Sequence, residues 1–460
     1  MKAWNYIALC ILTSVMLMVI ALYNGFPLVD ADSAAYIEQA IYPHFTPERT
    51  PFYGLFLRVA SLCTSLWFVV LVQSAILAVL LLRYITFISG TLSGNNTFGY
   101  SLLSVLVITA FTCVSWITSY LMPDVFTPIL LLAMVLFIAD RNAGKVLNVL
   151  YAVVIFVAIA MHFSHITIAA LLAAFVLFYS IAKKEKALLK KSLAILVLCA
   201  GFWGVMSGAN KLKNHGLVFA RGSHVIMMGK LTETGILKKY LKDQCGKKNL
   251  KICRYKEQLP SSLHEFLESG ESPLYKMGGW DSSAAEYNSI IAGALTTAPY
   301  AGMYVRKTII STIKQLTLIK PPAEIIPYGK QTEPYKKVKE YFTDESKEYA
   351  TSMQQLDGLR SYSSSFVQLL FFLFTSLWVF VNHKKALTKD LYFVYGLLLL
   401  FLVANALVIA CFSSVAARFQ YRVFWMVPAT NAIVILFYYK RKLDTKTKED
   451  ILQVQTTYEN

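Results

Sequence analysis

Two aspartates, Asp30 and Asp32, lie two positions apart in the segment GFPLVDADSAAYIEQA, directly after the first apolar stretch. On an extended backbone, side chains at this spacing point the same way. On a helix they would diverge, and Asp32 would share a face with Tyr36. Either aspartate alone is explained as the N-cap of the helix that SAAYIEQA would begin. The second one requires another role, either in an ion-pair cluster with the nearby Glu48 and Arg49 or in general-base catalysis.

Arginines in two loops are candidates for binding an anionic group. Arg49 follows the acidic segment, and Arg418 and Arg422 lie four residues apart in SSVAARFQYRVFW, before the last apolar stretch. That spacing places both guanidinium groups on one face of a helix. Arginines at helix ends also extend routinely to the membrane surface, so the pair has two explanations. Where the ligand is a phosphate, fixed guanidinium groups would bind it strongly.

Three further polar residues lie where apolar stretches begin or end. Asp124 follows Pro123 at a predicted helix start, where stabilisation by the helix dipole is favoured over catalysis. His162 and His165, in MHFSHIT, are expected to form hydrogen bonds or contact a substrate. Two histidines without a third ligand make a weak metal site, so we predict none. A divalent cation shared with the aspartates stays open as an alternative.

Membrane helices must position these residues. Hydrophobic residues make up 56% of the 460 residues, and the mean hydropathy is +0.51. Apolar runs of about 20 residues recur, which is the length that crosses the hydrocarbon core as a helix. Backbone groups find no water there, so such runs must be helical. The sequence predicts an all-α polytopic membrane protein of about ten transmembrane helices. The spans are placed near 4–24, 65–87, 99–118, 123–139, 146–162, 165–182, 192–209, 364–382, 390–412 and 423–439.

The predicted chain has four parts. Residues 1–209 form an N-terminal membrane module of seven helices, and its first loop (25–63) carries the candidate catalytic aspartates. Residues 210–363, the middle region, are polar and mainly helical, with an amphipathic interfacial helix within 284–320. Residues 364–440 form a three-helix C-terminal membrane module, followed by a tail, 441–460.

The net charge of +17 is distributed as a membrane topology requires, and it does not indicate nucleic-acid binding. Basic residues cluster in alternate connections, at 183–191, at 384–389 and in the tail. Cytoplasmic loops carry the excess of Lys and Arg. Both termini and the tail are therefore predicted to be cytoplasmic, with the first loop and the middle region outside.

The cysteines fit this assignment. Cys245 and Cys253 are the two cysteines of the middle region, and a pair outside the cytoplasm predicts a disulfide. The other five lie in or beside apolar runs, where a small buried thiol is expected. They are Cys10, Cys63, Cys113, Cys199 and Cys411.

The first loop resembles a segment of a known superfamily. Its Asp-x-Asp-Ser-x-x-Tyr stretch (30–36), followed by Arg49-Thr50-Pro51-Phe52-Tyr53, is similar to the GT-C integral-membrane glycosyltransferases. The similarity is greatest to the protein mannosyltransferase and lipid A aminoarabinose transferase type. It covers residues 25–60 and, more loosely, the helix order up to about residue 210.

The resemblance implies transfer of a sugar from a polyprenyl-phosphate donor to a lipid, glycan or protein acceptor. The site would face the periplasm at a bacterial inner membrane. Asp30 or Asp32 would be the general base, and Asp30 is preferred because Asp32 is better placed as a helix cap. The donor phosphate would be bound by Arg49, Arg418 and Arg422. The substrate contacts would be Tyr36, Tyr53, Asp124, His162 and His165. Some members of the superfamily use a divalent cation.

Other functions stay open. A transporter would carry ionisable residues within its spans or broken helices in matching halves, whereas the charges here lie at predicted span ends. A polysaccharide polymerase or ligase shares the many helices, the large outer region and the outer arginines. The motifs of the first loop favour the glycosyltransferase, and a noncatalytic scaffold is a further alternative.

Overall fold

The computed structural model describes residues 3–92, 98–319, 324–356, 359–360 and 362–458. They form helices α1–α25, three short 3-10 helices and one pair of two-residue strands. The predicted helical class is therefore correct.

In its described residues, 3–92 and 98–209, the N-terminal module contributes to eleven helices. They are α1 (Ala3–Leu17), α2 (Val19–Asn24), α3 (Ser33–Ile41), α4 (Phe52–Ser61), α5 (Leu66–Leu92), α6 (Phe98–Phe111), α7 (Val114–Ser119), α8 (Phe126–Ala139), α9 (Lys145–Met161), α10 (Phe163–Lys183) and α11 (Lys186–Leu212). Two runs that were predicted to be continuous are interrupted. The run 4–24 breaks at Met18, and 99–118 breaks before Val114, where the Thr112 hydroxyl donates to the Ile108 carbonyl at 2.6 Å. Such back-bonding bends helices.

The middle region consists of short elements. They are α12 (Ser223–Glu233), α13 (Ile236–Gln244), α14 (Leu263–Glu268), α15 (Pro273–Lys276), α16 (Gly279–Ser282), α17 (Ala284–Thr296), α18 (Ala298–Thr317), α19 (Glu333–Tyr341), α20 (Ser346–Thr351) and α21 (Met353–Leu356). Strands β1 (Glu324–Ile325) and β2 (Leu359–Arg360) pair antiparallel, with Glu324 opposite Arg360. The 3-10 helices Lys251–Tyr255 and Thr343–Glu345 also belong to the middle region, whereas the 3-10 helix Pro123–Val125 precedes α8 in the N-terminal module.

The predicted single interfacial helix within 284–320 is two helices, α17 and α18. Thr297 between them has an extended backbone, and Pro299 lies in the first turn of α18. Proline has no N–H to donate to the preceding turn but is tolerated in the first turn of a helix, so a new helix begins here. A disulfide joins Cys245 to Cys253, whose Cα atoms are 5.8 Å apart, as the sequence predicted.

The C-terminal part contains α22 (Tyr362–Ala386), α23 (Lys389–Phe412), α24 (Ala417–Phe424) and α25 (Met426–Tyr458). The short α24 precedes the last long helix, and α25 continues into the predicted tail. The described residues include six helices that are long and apolar enough to cross a membrane. These are Leu66–Leu92, Phe163–Lys183, Lys186–Leu212, Phe366–Ala386, Lys389–Phe412 and Ala417–Thr447. The protein is thus a helical, polytopic membrane protein.

Among the described residues, two large hydrophobic cores and one small cluster hold the molecule together. The larger joins the N-terminal and C-terminal helices around α8, every residue of which is buried. The smaller lies within the middle region and includes Met228, Tyr240, Phe266 and Tyr287. The middle region therefore has a hydrophobic core of its own. Its later part also packs against the rest of the molecule, because Val338, Phe342 and Tyr349 belong to the larger core and Ile325 and Leu359 cluster with Leu28.

Candidate functional site

The segment before the two aspartates is fixed by distant parts of the chain. The Leu28 N–H donates to the Ser119 carbonyl at 2.8 Å, and the Leu121 N–H donates to the Leu28 carbonyl at 2.9 Å. On the next residue, Val29, the N–H donates to Gln354 Oε1 at 3.1 Å, and Gln354 Nε2 donates to the Val29 carbonyl at 2.7 Å. Because hydrogen bonds hold both Leu28 and Val29, the backbone that leads to Asp30 is fixed in place.

The two aspartates lie in a turn before α3. The Asp30 N–H donates to the Ser33 hydroxyl at 2.9 Å, and that hydroxyl donates to the Leu121 carbonyl at 3.0 Å. The Asp32 N–H in turn donates to Asp30 Oδ1 at 3.2 Å. Asp32 occupies the N-cap position of α3, but its side chain makes no capping bond to that helix. The predicted capping role of Asp32 is therefore wrong, because its carboxylate is engaged by arginines instead.

Close packing of α3 against α4 brings Arg49 to these carboxylates. A Cβ on Gly54 would lie 2.5 Å from the Cβ of Gln39, so only glycine allows the two helices to approach this closely. Arg49, just before α4, donates through Nη2 to Asp32 Oδ1 at 2.7 Å and through Nη1 to the Asp32 carbonyl at 3.2 Å. Its guanidinium carbon lies 5.3 Å from the centre of the Tyr36 ring.

Tyr36, which contacts Arg49, packs against Tyr53. They are 5% and 0% exposed, and their rings meet edge to face at 5.0 Å between centroids. The Tyr53 hydroxyl donates to Gln73 Oε1 at 3.4 Å. The sequence predicted both tyrosines as substrate contacts. Their burial favours a packing role, and for Tyr36 an additional cation–π contact with Arg49.

Arg418, from α24, completes what we call the open group: Asp30, Asp32, Arg49 and Arg418. Its Nη2 donates to Asp32 Oδ2 at 3.0 Å, and its Nη1 lies 3.4 Å from Asp30 Oδ1. The four side chains are 22–34% exposed. Asp32 thus contacts two arginines, whereas Asp30 contacts one at longer distance. The predicted meeting of the aspartates with Arg49 and Arg418 is found in the structure.

Arg422, one helical turn further along α24, belongs to a closed group with Asp124 and Asn405. Its Nη1 lies 3.0 Å from Asp124 Oδ1, and its Nη2 donates to Asn405 Oδ1 at 3.4 Å. The Arg422 side chain is 1% exposed, and that of Asp124 is 14% exposed. The sequence predicted Arg422 as a phosphate contact and Asp124 as a substrate contact or helix-dipole partner. Their burial as an ion pair favours a structural role for both.

A narrow cavity of about 50 Å³ lies between the two groups. Its polar lining comes from Asp30, Asp124, Arg418 and Arg422, and Tyr120 contributes an aromatic wall. Such a volume has room for a few water molecules at most. The open group therefore has access to solvent on one side. On the other side lies a small, mainly apolar cavity with charged groups in its lining.

The two predicted histidines differ in their environment. His165 is 0% exposed, and both ring nitrogens are engaged, Nε2 with the Thr127 hydroxyl at 2.8 Å and Nδ1 with the Ala158 carbonyl at 2.6 Å. The expected substrate contact through His165 is therefore excluded by its packing. His162 caps α10, where its Nδ1 accepts from the Ser164 N–H at 3.2 Å. Across the described ranges, no group of three or more His, Cys, Asp or Glu side chains is placed to hold a metal ion.

The electrostatic surroundings distinguish the two aspartates. Partial burial raises the pKa of Asp30 above its ordinary value, because Arg418 only partly offsets the loss of solvation. Burial would also raise the pKa of Asp32, but Arg49 and Arg418 outweigh it and hold that pKa below the usual range. Of the two carboxylates, Asp30 is thus the better proton acceptor.

Two residues of the site were missed by the sequence reading. Gln354 is fully buried and binds the backbone of Val29, as described above. Tyr328 interacts electrostatically with Asp30, and burial, followed by the charge of Asp30, raises the pKa of Tyr328 to about 12. Both come from the end of the middle region, where no motif or periodicity marks a residue as near the first loop.

Neither a protein-family model, nor a curated protein, nor a solved structure matches this chain. Function must therefore be inferred from the open group and its surroundings.

Proposed function

We propose that this protein is a GT-C-like membrane glycosyltransferase, which moves a sugar from a polyprenyl-phosphate donor to an acceptor hydroxyl. The proposal rests on the pKa, the contacts and the exposure of the Asp30 carboxylate. This carboxylate has a raised pKa and a single long contact to Arg418, and it lies beside fixed cations in a partly exposed site. A general base needs that combination of basicity and access.

The proposed topology has about ten spans with both termini in the cytoplasm. Helices of 15 and 17 residues, such as α1 and α9, are roughly 22–26 Å long, shorter than the ~30 Å hydrocarbon core, so they cross with their flanking residues. Contacts between side chains of different loops support this topology. The first loop follows the first proposed crossing, the Asp124 segment precedes the fourth, and the Arg418 segment lies between the ninth and the tenth. The proposed topology therefore puts all three on the same side of the membrane, and their side chains contact one another.

The opposite ends of the helices bring together a different set of side chains. Arg83 lies 3.7 Å from Asp140, and Lys191 donates to the Asp140 carbonyl at 3.1 Å. Arg141 pairs with Glu185 at 3.0 Å. Segregation of the loops into two ends is what alternating crossings produce. By the positive-inside rule the lysine-rich end is cytoplasmic, and we place the open group at the periplasmic face of a bacterial inner membrane.

In the proposed reaction, Asp30 accepts the proton of the acceptor hydroxyl as its oxygen bonds to the anomeric carbon of the sugar. The bond from that carbon to the donor phosphate oxygen breaks, and polyprenyl phosphate leaves with the electron pair. Arg418 offsets the negative charge of the leaving phosphate, since it has N–H groups beyond the two that contact the aspartates. Arg49 keeps Asp32 ionised and in place. Both aspartates face guanidinium groups, a poor donor set for a divalent cation, so the proposal uses none.

The test is a transfer assay with the full-length protein in liposomes, supplied with a membrane extract that contains polyprenyl-phosphate sugars. Asp30→Asn removes the base and should lower the transfer rate about 10²–10⁴-fold. Asp344→Asn, at an exposed aspartate of the middle region, is the matched control and should transfer at the wild-type rate. A folded Asp30→Asn variant with wild-type activity would overturn the proposal.

A further inference from the structure

The loop between α23 and α24, residues 413–416, connects directly to Arg418. Its last residue, Ala416, occupies the N-cap position of α24, and alanine has no side chain with which to cap a helix. A loop of this kind is normally more mobile than the helices it connects. The position of Arg418 therefore requires another source of order.

Gln315, from α18 of the middle region, binds Ala416 on both sides. Its Nε2 donates to the Ala416 carbonyl at 2.8 Å, and its Oε1 accepts from the Ala416 N–H at 3.1 Å. The side chain is fully buried. Because both polar ends of the amide are satisfied by one residue, Gln315 fixes the orientation of the peptide groups as well as their position.

Lys230 and Glu233, from α12, hold the beginning of the same loop. Lys230 is 2% exposed, and its ammonium group donates to the Ser413 carbonyl at 2.8 Å and to Glu233 Oε2 at 3.0 Å. The other carboxylate oxygen of Glu233 accepts from the Ser414 hydroxyl at 2.7 Å. A buried lysine is costly unless it is paired and hydrogen-bonded, and here both conditions are met.

We propose that Gln315 is a positioning residue, supported by Lys230 and Glu233, through which the middle region holds the Arg418 guanidinium against Asp30 and Asp32. Its effect on sugar transfer rests on the proposed function, whereas its effect on Arg418 does not. The middle region thereby contributes to the open group through the loop that leads to Arg418.

The predicted consequence is a change in how Asp30 holds its proton. The charged and titratable groups around Asp30 are Asp32, Asp124, Arg418, Tyr120 and Tyr328. Arg418 is the cation of this set. If Arg418 moves away, the remaining groups favour the protonated carboxyl, so Asp30 will stay protonated to a higher pH.

The experiment measures carbodiimide labelling of Asp30 against pH by mass spectrometry, on full-length protein in detergent. Carbodiimide reacts with the protonated carboxyl, so labelling reports protonation without any donor sugar. In Gln315→Leu the labelling midpoint should move up by about one pH unit. The matched control is Tyr304→Phe, which removes a 2.9 Å bond from the same helix to the Cys411 carbonyl. This control should keep the wild-type midpoint.

A midpoint that is unchanged in folded Gln315→Leu, or shifted equally in Tyr304→Phe, would overturn the proposal. If Gln315→Leu does not fold, Lys230→Met is the second variant and the same shift is expected. In the transfer assay, adding Gln315→Leu to Arg418→Met should cause no further loss, since both act through one side chain. A shifted midpoint in a protein that transfers no sugar would retain the positioning role and reject the glycosyltransferase.

Discussion

The open group and the closed group are built from the same residue types, on the same short helix, with opposite exposure. Arg418 and Arg422 are one turn apart on α24, and each guanidinium carbon lies 5.2 Å from the centre of the Phe419 ring. Each arginine pairs with aspartate. Arg418 is 34% exposed, whereas Arg422 is 1% exposed.

This difference separates structure from chemistry. A buried ion pair must remain intact, because loss of one partner leaves an unpaired charge in the interior. It therefore fixes α24 but cannot exchange its partner for a substrate. The open group retains solvent access, and its two carboxylates share one guanidinium at 3.0 and 3.4 Å. Such a group can exchange contacts with an incoming phosphate or hydroxyl.

The largest expected effect tests the closed group. Asp124→Asn leaves Arg422 buried without its counter-ion, and the free energy of unfolding should fall by about 3–5 kcal/mol. Denaturant unfolding in detergent measures this change. The double variant Asp124→Leu/Arg422→Met removes both charges and should recover part of the loss. Wild-type stability in the single variant would show that the closed group is not structural.

The second prediction concerns the pH dependence of the open group. The base must be ionised, so transfer should fall tenfold per pH unit below the pKa of Asp30, which lies above the ordinary ~4. Asp32→Asn removes the neighbouring negative charge that raises this pKa, so the acid limb should move to lower pH. Initial rates across pH 4–8 check both expectations. An acid limb that moves to higher pH in Asp32→Asn would contradict the assignment of Asp30.

The smallest expected effect comes from Tyr328, which interacts electrostatically with Asp30. Tyr328→Phe removes the hydroxyl that makes this interaction, and loss of one polar interaction is worth about 1 kcal/mol, or roughly a fivefold loss in transfer rate. The matched control is Tyr341→Phe, on α19 of the same region. Equal rates in both variants would remove Tyr328 from the open group.

Much of the fold follows from local sequence features. Apolar runs predict the helices, because in hydrocarbon the backbone N–H and C=O groups must hydrogen-bond to each other. Charge asymmetry predicts which loops share a side, and that is why Asp30, Arg49 and Arg418 could be grouped before their contacts were seen. Charge asymmetry also predicts that the middle region lies outside the cytoplasm, and its two cysteines were therefore expected to form a disulfide. These signals depend on composition within short windows.

The remaining features depend on packing between segments hundreds of residues apart. The four-residue spacing of Arg418 and Arg422 predicts a shared face, but not that the final turn of α24 lies inside the protein. Gln315 and Gln354 act as single buried amides, and a lone glutamine has no periodic pattern to reveal it. Asp32 was expected to cap α3, because its arginine partners could not be assigned from spacing alone.

The most direct test of the comparison replaces each arginine by methionine, which keeps an unbranched side chain and removes the guanidinium group with its charge. For each variant the transfer rate and the free energy of unfolding are measured together. Arg418→Met should lose about 10²–10³-fold in rate and less than about 1 kcal/mol in stability, because its partners are solvated. Arg422→Met should lose about 3–5 kcal/mol in stability. If Arg418→Met destabilises the protein as much as Arg422→Met and its folded fraction transfers normally, the open group is structural and the account is wrong.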